Sequence, residues 1–249
     1  MRFSIIIPTF NSEKYLRKCL SSIIQQNYSN TDTEILIMDG GSTDSTLKIA
    51  AEYKHYFPKL DWVIKSEPDK GEPDAINKGF KIATGDILAW LDSDDYYDVE
   101  CFAYVLSILS VGDSWVHGEY QIVDEDGEPI LNWMSRTKTF LQCINSKMIL
   151  KCVDYIPQPS VFFKREAMPG ELSLDKYCFD YDYWLRFKTK PVFIPKVLSY
   201  WRRHEDSISV REARLEAAQA YSTARKYGRG IIYGLIQKLV YLATVRIYR

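Results

Sequence analysis

Four short apolar runs in the first hundred residues, each ending in polar residues, constrain this chain more than any other feature. They are Phe3-Ser4-Ile5-Ile6-Ile7-Pro8, Glu34-Ile35-Leu36-Ile37-Met38, Trp62-Val63-Ile64-Lys65 and Ile87-Leu88-Ala89-Trp90-Leu91. Runs this short and this rich in β-branched side chains read as buried strands. Helical spacing fills the gaps between them. Asn11 or Ser12 can cap a helix bearing Leu16, Cys19, Leu20, Ile23 and Ile24; a second carries Leu47, Ile49 and Ala50; a third runs from about Pro73 to Thr84 and stops at Gly85. Strands alternating with helices need crossover connections, so the expected class is α/β, with a mainly parallel, Rossmann-like sheet covered on both faces.

After Asp98 the rhythm changes. Val99 to Leu109 reads as a helix, and Trp115 to Val123 with Ile130 to Trp133 as a hairpin turning at Glu125-Asp126-Gly127. Ser160 to Phe163 and Val192 to Ile194 look like strands, with a helix from about Asp180 to Lys188 between them. Two helical candidates, Val210 to Tyr227 and Ile231 to Tyr248, close the chain around Gly228 and Gly230. The expected division is a nucleotide-binding half over 1–98, a mixed half of the same domain over 99–209 and a helical tail over 210–249.

Composition narrows the function classes. With 249 residues, 46% of them hydrophobic and 26% charged, the chain can bury a substantial core and is neither disordered nor fibrous. Its 32 basic and 33 acidic side chains leave a formal net charge of −1, which argues against a nucleic-acid coat protein. The tail is different: Arg225, Lys226, Arg229, Lys238, Arg246 and Arg249 are its charged residues from 225 onward, so removing those six leaves 26 basic against 33 acidic before them. Five scattered cysteines (Cys19, Cys101, Cys143, Cys152, Cys178) form no C-x-x-C pair, which suits a reducing compartment better than a zinc site or a disulfide framework. With no signal-peptide layout at Met1 and no apolar run of about 18 residues, the expected location is cytoplasmic.

In an open parallel sheet, ligands bind beyond the carboxyl ends of the strands. Here those ends carry Thr9-Phe10-Asn11, Asp39-Gly40-Gly41-Ser42, Ser66-Glu67-Pro68-Asp69-Lys70-Gly71 and Asp92-Ser93-Asp94-Asp95. One acidic strand end is commonly a helix cap. Four polar ends at one sheet edge point to a ligand site. Asp92 and Asp94, one residue apart just past a buried strand, can face one hard cation, Mg²⁺ or Mn²⁺, of the kind that binds a nucleotide diphosphate.

The blocks SIIIPTFN, EILIMDGGSTDST, SEPDKGEPDAINKG and ATGDILAWLDSDD, in that order, resemble the family 2 inverting glycosyltransferases of the GT-A fold. The resemblance is close over Phe3 to Asp98, looser through IPQPSVFFKRE, FDYDYWLRF and YWRRHEDSIS, and fades beyond Val210. It implies a metal-dependent, inverting transfer of sugar from a nucleoside-diphosphate sugar, usually UDP-linked, to a hydroxyl of a saccharide or lipid-linked saccharide in cell-surface polysaccharide synthesis. By that resemblance Thr9 and Asp39 hold base and ribose, Glu67, Asp69 and Lys70 lie beside base or diphosphate, Asp92 lies near ribose and metal, and Asp94 binds the metal. His204, in Tyr200-Trp201-Arg202-Arg203-His204, resembles a late histidine that approaches the metal or diphosphate. The catalytic base of the family sits in an acidic pair before Trp-Leu-Arg. This chain has Phe179 where Glu is usual, so the base is Asp180 or Asp182, with Asp180 preferred.

The competing readings are a haloacid-dehalogenase-like phosphatase and an inert sugar-nucleotide-binding module. The phosphatase pattern wants Thr or Val two residues after its second Asp, on the first strand, whereas Asp94 is followed by Asp95-Tyr96 on the fourth. Neither G-x-G-x-x-G nor a P-loop is present, so a dinucleotide-dependent dehydrogenase is excluded. Trp115, Trp133 and Trp184 could stack on sugar, though core packing is the default for each. In the tail, Ile232, Leu235, Ile236, Leu239, Val240, Leu242, Ala243 and Ile247 share one side of a helical wheel, with Gly234, Gln237, Lys238, Tyr241 and Thr244 opposite. Such a face over residues 229–249 either lies in the inner face of a membrane or packs on the body or a second subunit.

Overall fold

A computed structural model describes residues 1–26 and 33–247; Tyr248 and Arg249, the end of the expected tail helix, lie outside the described residues. The first half builds four parallel strands: β1 (Phe3–Thr9), β2 (Thr33–Asp39), β3 (Asp61–Ser66) and β4 (Ile87–Trp90). They are connected by helices α1 (Leu16–Ile24), α2 (Thr46–Tyr56) and α3 (Glu72–Ile82). Every side chain of β1, β2 and β4 is buried, as strands covered on both faces require. Alternation along β1 sorts them into two cores. Phe3, Ile5 and Ile7 join Leu16, Cys19, Leu20 and Phe102 on one face, while Ile6 joins Leu36, Ile76, Phe80 and Trp90 on the other.

The second half continues the same sheet. β5 (Tyr96–Tyr97), α4 (Cys101–Leu109), β6 (Trp115–Val123), α5 (Asn132–Ile144), α6 (Lys147–Leu150), β7 (Val161–Lys164), α7 (Phe179–Arg186) and β8 (Val192–Arg202) follow in order. The eight strands lie in the order β3-β2-β1-β4-β7-β6-β8-β5, with β7 and β5 antiparallel to their neighbours. Because β7 pairs with β4, the sheet crosses residue 98 without a break. The chain ends in α8 (Ile208–Arg211), α9 (Ala213–Tyr227) and α10 (Ile231–Ile247).

Three local expectations are corrected. The hairpin partner at Ile130 to Trp133 is not a strand: beyond a single bridge, Val123 to Pro129, the chain turns through Leu131 at φ 49° into α5. On one edge of β6, β7 pairs only with Trp115 to His117, and beyond it side chains take over: Gln142 of α5 donates to the Gly118 carbonyl (3.2 Å) and Ser160 Oγ to that of Glu119 (2.9 Å). The strand expected over Val192 to Ile194 runs on to Arg202 because it pairs with the whole of β6, across irregularities at Gly118, Glu119 and Tyr120. In α10 the inward face is the polar one. Gln237 is buried, and its Nε2 donates to the carbonyls of Lys151 (2.8 Å), Ala224 (2.8 Å) and Gly228 (3.2 Å), while Ile232, Leu235, Ile236, Leu239 and Leu242 face outward. Packing of that apolar face on the body is therefore overturned. Among the described residues no helix is long and apolar enough to cross a membrane.

Candidate functional site

Strand register sets the donor edge. Thr9, Asp39 and Ser66 are paired neighbours at the ends of β1, β2 and β3. The buried Asp39 carboxylate accepts from Thr9 Oγ1 (3.1 Å), Ser66 Oγ (2.6 Å), the Gly41 and Ser42 amides (3.1 and 3.0 Å) and Ser42 Oγ. Burial alone would raise its pKa, but these donors overcome that penalty and hold it below the usual carboxylate value. The result is a fixed anion at the strand end. Glu67 pairs with Lys78 (3.0 Å), and Asp69 accepts from the Gly71 amide (2.8 Å). A Cβ on Gly40 would come within 2.7 Å of Asp69 Oδ2, so a side chain there would displace the Asp69 carboxylate. Asp39, Glu67 and Asp69 line one shallow hollow with Lys65 and Lys78. The Lys70 side chain is exposed beside it, and its amide donates to Asp74 (3.1 Å).

The acidic centre lies at the end of β4. Carboxylate oxygens of Asp92, Asp94 and Asp95 all lie within 4.8 Å of one another. His204, two residues past β8, places Nε2 2.9 Å from Asp94 Oδ2 and stacks its ring 4.7 Å from that of Tyr15. Arg202 braces the turn, donating its amide to Asp95 Oδ1 (2.8 Å) and Nε to the Asp94 carbonyl (2.9 Å). Buried Asp92 Oδ1 and Asp95 Oδ2 have no protein partner among the described residues. Orphaned carboxyl oxygens converging with an imidazole are the donor set a hard divalent cation takes, and burial and mutual repulsion push Asp92 and Asp95 well above the usual carboxylate range, so the residues fit Mg²⁺ or Mn²⁺.

The two acidic candidates on α7 part company. Residues two apart on a helix lie roughly 200° apart around its axis. Asp182 is engaged by Arg186 one turn along α7 (3.0 Å) and, from the tail, by Lys226 (2.8 Å) and the Tyr227 hydroxyl (2.8 Å). Asp180 turns the other way, and its charge bears on Glu72 and Asp92. Burial raises its pKa.

Sequence reasoning missed five residues here. Glu72, the first residue of α3, interacts electrostatically with Asp92, and burial foremost pushes its pKa up to about 7. Asp95 joins the acidic cluster from the same turn. Lys138 of α5, Asp154 and Glu216 of α9 surround Asp180. Asp154 is pushed up to about 7 by burial and then by Asp180. The run of acids in LDSDD signalled Asp95; the other four are far apart in sequence and carry no motif. Trp115 and Trp184 are core residues, stacked at 6.0 Å, whereas Trp133 is exposed.

The Glycosyl transferase family 2 model matches residues 4–158, more than half of the chain. The chain belongs to that family. Among relatives, the Staphylococcus aureus poly(ribitol-phosphate) beta-N-acetylglucosaminyltransferase TarS is 38% identical over 102 residues, which is 40% of this chain but 17% of TarS. An uncharacterized glycosyltransferase of Rickettsia typhi is 30% identical over 231 residues, 89% of this chain and 66% of that protein. The chain thus spans about a sixth of the TarS relative and about two thirds of the rickettsial one. Among solved structures, a Pyrobaculum calidifontis mannosyltransferase in complex with GDP-Man and Mn²⁺ superposes with a TM-score of 0.72 at 18% identity, over 99% of this chain and 72% of that one. This family 2 chain has the α/β GT-A fold, with strand ends and acidic centre on one edge of its sheet.

Proposed function

We propose that the protein transfers a sugar, with inversion, from a nucleoside-diphosphate sugar to an acceptor hydroxyl of a saccharide or lipid-linked saccharide. The reading rests on the split on α7: Asp182 is tied to Lys226 and Arg186, whereas Asp180, on the other side of the helix, interacts electrostatically with Asp92. Two separate carboxylate sets suit displacement at an anomeric carbon. One serves the leaving diphosphate and the other the attacking hydroxyl. A UDP-linked donor is the favoured one, supported by a TarS structure in complex with UDP-GlcNAc.

In this reading Thr9 and Asp39 receive base and ribose, and Glu67, Asp69 and Lys70 flank base and diphosphate. Asp39 contributes through a carboxylate already locked by five donors, so it costs little reorganisation when the donor binds. Asp92, Asp94 and His204 would hold Mg²⁺ or Mn²⁺, which when bound supplies positive charge against the developing diphosphate. Asp180 takes the proton from the acceptor hydroxyl as it attacks the face opposite the leaving group. Lys138 beside it offsets the charge of the surrounding acids.

The test is a screen of nucleotide sugars with and without saccharide acceptors. UDP release that requires both acceptor and divalent cation supports the reading. Release of inorganic phosphate instead would favour a phosphatase, and tight donor binding without turnover an inert binding module.

A further inference from the structure

Two segments of this protein wear large apolar side chains on the outside. In α10, the inward anchor at Gln237 and the 5.4 Å ring contact between Tyr221 and Tyr241 turn the opposite face to solvent. Ile232 is 74% exposed there and Leu239 68%, with Leu235 and Leu242 completing the stripe. In α5 and α6, Trp133 (53% exposed), Phe140 (66%), Ile144 and Met148 form a second one. The two segments adjoin, because the carbonyl accepting from Gln237 belongs to Lys151, the residue that ends α6.

Charge is sorted in the same way. From Pro129 to Val153 the chain has Arg136, Lys138, Lys147 and Lys151 and no acid; from Arg225 to Arg249 it has six basic residues and no acid. Removing those ten from 32 leaves 22 basic against 33 acidic residues everywhere else. Arg136, Arg225, Arg229 and Lys238 are exposed. Outward apolar stripes that coincide with the cationic parts of an otherwise acidic molecule match an anionic bilayer, where the side chains enter the acyl boundary and the cations meet headgroups.

A second copy of the chain fits the surface less well. The 17 residues of α10 span about 25 Å, so one face offers a footprint of about 250 Å², well under the roughly 800 Å² per partner of a stable interface. Like helices would also bring cation against cation.

We infer that α5–α6 and α10 form a lipid-docking surface that seats the protein on an anionic membrane. Docking sets the lipid beside the helices that hold the proposed base: Lys226 and Tyr227 at the end of α9 grip Asp182 on α7, two residues from Asp180. Delivery of a lipid-linked acceptor to Asp180 rests on the function proposed above, whereas the docking itself stands apart from it.

The experiment is flotation of the full chain with vesicles of phosphatidylcholine, alone or mixed with phosphatidylglycerol, followed by Trp133 fluorescence. Binding should favour the anionic vesicles by about tenfold or more at low salt, weaken in high salt, and shift Trp133 emission to the blue. Trp133→Phe should remove the blue shift and keep the binding. Leu235→Glu with Leu239→Glu, both at exposed positions, should weaken binding by about tenfold or more and leave UDP affinity unchanged. The inference is overturned by absence of binding to anionic vesicles at low salt, or by binding that the glutamates leave intact. It is equally overturned if the glutamates instead split a dimer that ignores vesicles. Absence of glycosyl transfer with vesicle binding intact would count against the proposed function alone.

Discussion

The donor edge and the acceptor side of this protein are built by different means. At the donor edge, Thr9, Asp39 and Ser66 are placed by strand register, and the Asp39 carboxylate is saturated by neighbours within its own loop or the adjoining strands. On the acceptor side, Asp180 of α7, Lys138 of α5, Glu216 of α9 and Asp154, between α6 and β7, come from separate stretches of chain that no ladder registers, and Lys138 offsets the repulsion of the three acids. In the proposed function the first is a rigid receptacle for the nucleotide of the donor. The second, which receives the acceptor in that reading, belongs to no strand ladder.

The largest effect should come from separating the two acids on α7. Asp180→Asn keeps shape and hydrogen bonding but accepts no proton, so transfer should fall by about 10²–10⁴-fold while calorimetry finds UDP binding nearly unchanged. If Asp182→Asn proves the more severe variant in kcat, the assignment of acceptor-side base is wrong. Next in size is the donor edge. Asp94→Ala removes one carboxylate of the acidic centre and the partner of His204, and should lower Mn²⁺-dependent UDP affinity by at least about tenfold. Metal-independent UDP affinity should change little, and equal loss with and without Mn²⁺ would remove Asp94 from the metal site.

Asp182→Asn tests the join between acceptor side and tail. It weakens contacts to Arg186, Lys226 and Tyr227 whose far ends reach solvent, so the expected cost is about 1–2 kcal/mol, read as a lower Tm, with kcat within a few-fold of the parent.

What was legible in the sequence follows the same division. Strand ends could be read because register and local loops carry Asp39, Asp92 and Asp94 in contiguous blocks, and the alternation of periods gave the parallel core. His204 was readable only through its resemblance to a family motif; its approach to Asp94 needs β8 to run to Arg202, which depends on pairing along β6 as far as Val123. The false hairpin at Ile130 is also a long-range matter, since local turn chemistry favours pairing and gives one bridge before α5, which packs its Gln142 on Gly118, draws the chain away. Glu72, Lys138, Asp154 and Glu216 left no local signal because nothing within ten residues of each explains its burial. In the tail the helical wheel grouped Ile232, Leu235, Ile236, Leu239 and Leu242, which are exposed, but period alone does not say which face turns inward; Gln237 and the three carbonyls it reaches decide that, with Lys238 beside it left in solvent.

The smallest effect belongs to the opposite end of the same strands, where the comparison supplies its control. Glu34 is buried at the start of β2 and accepts from the Thr84 amide (2.8 Å), Thr84 Oγ1 (3.0 Å) and Ser4 Oγ, with Arg2 3.8 Å away. Burial would raise its pKa, but those donors outweigh the penalty and hold it below its ordinary 4.5. A depressed carboxylate stabilises the fold above its unfolded pKa, and that stabilisation is lost as pH falls through the folded value. Glu34→Gln should therefore cost about 1 kcal/mol in urea unfolding near neutral pH, and the gap to the parent should narrow once pH drops below 4.5. UDP affinity should stay constant throughout, because Glu34 lies at the far end of β2 from Asp39. A gap that widened on acidification would mean that the protonated acid is the stabilised form and that burial, not the donors, governs this end of the sheet.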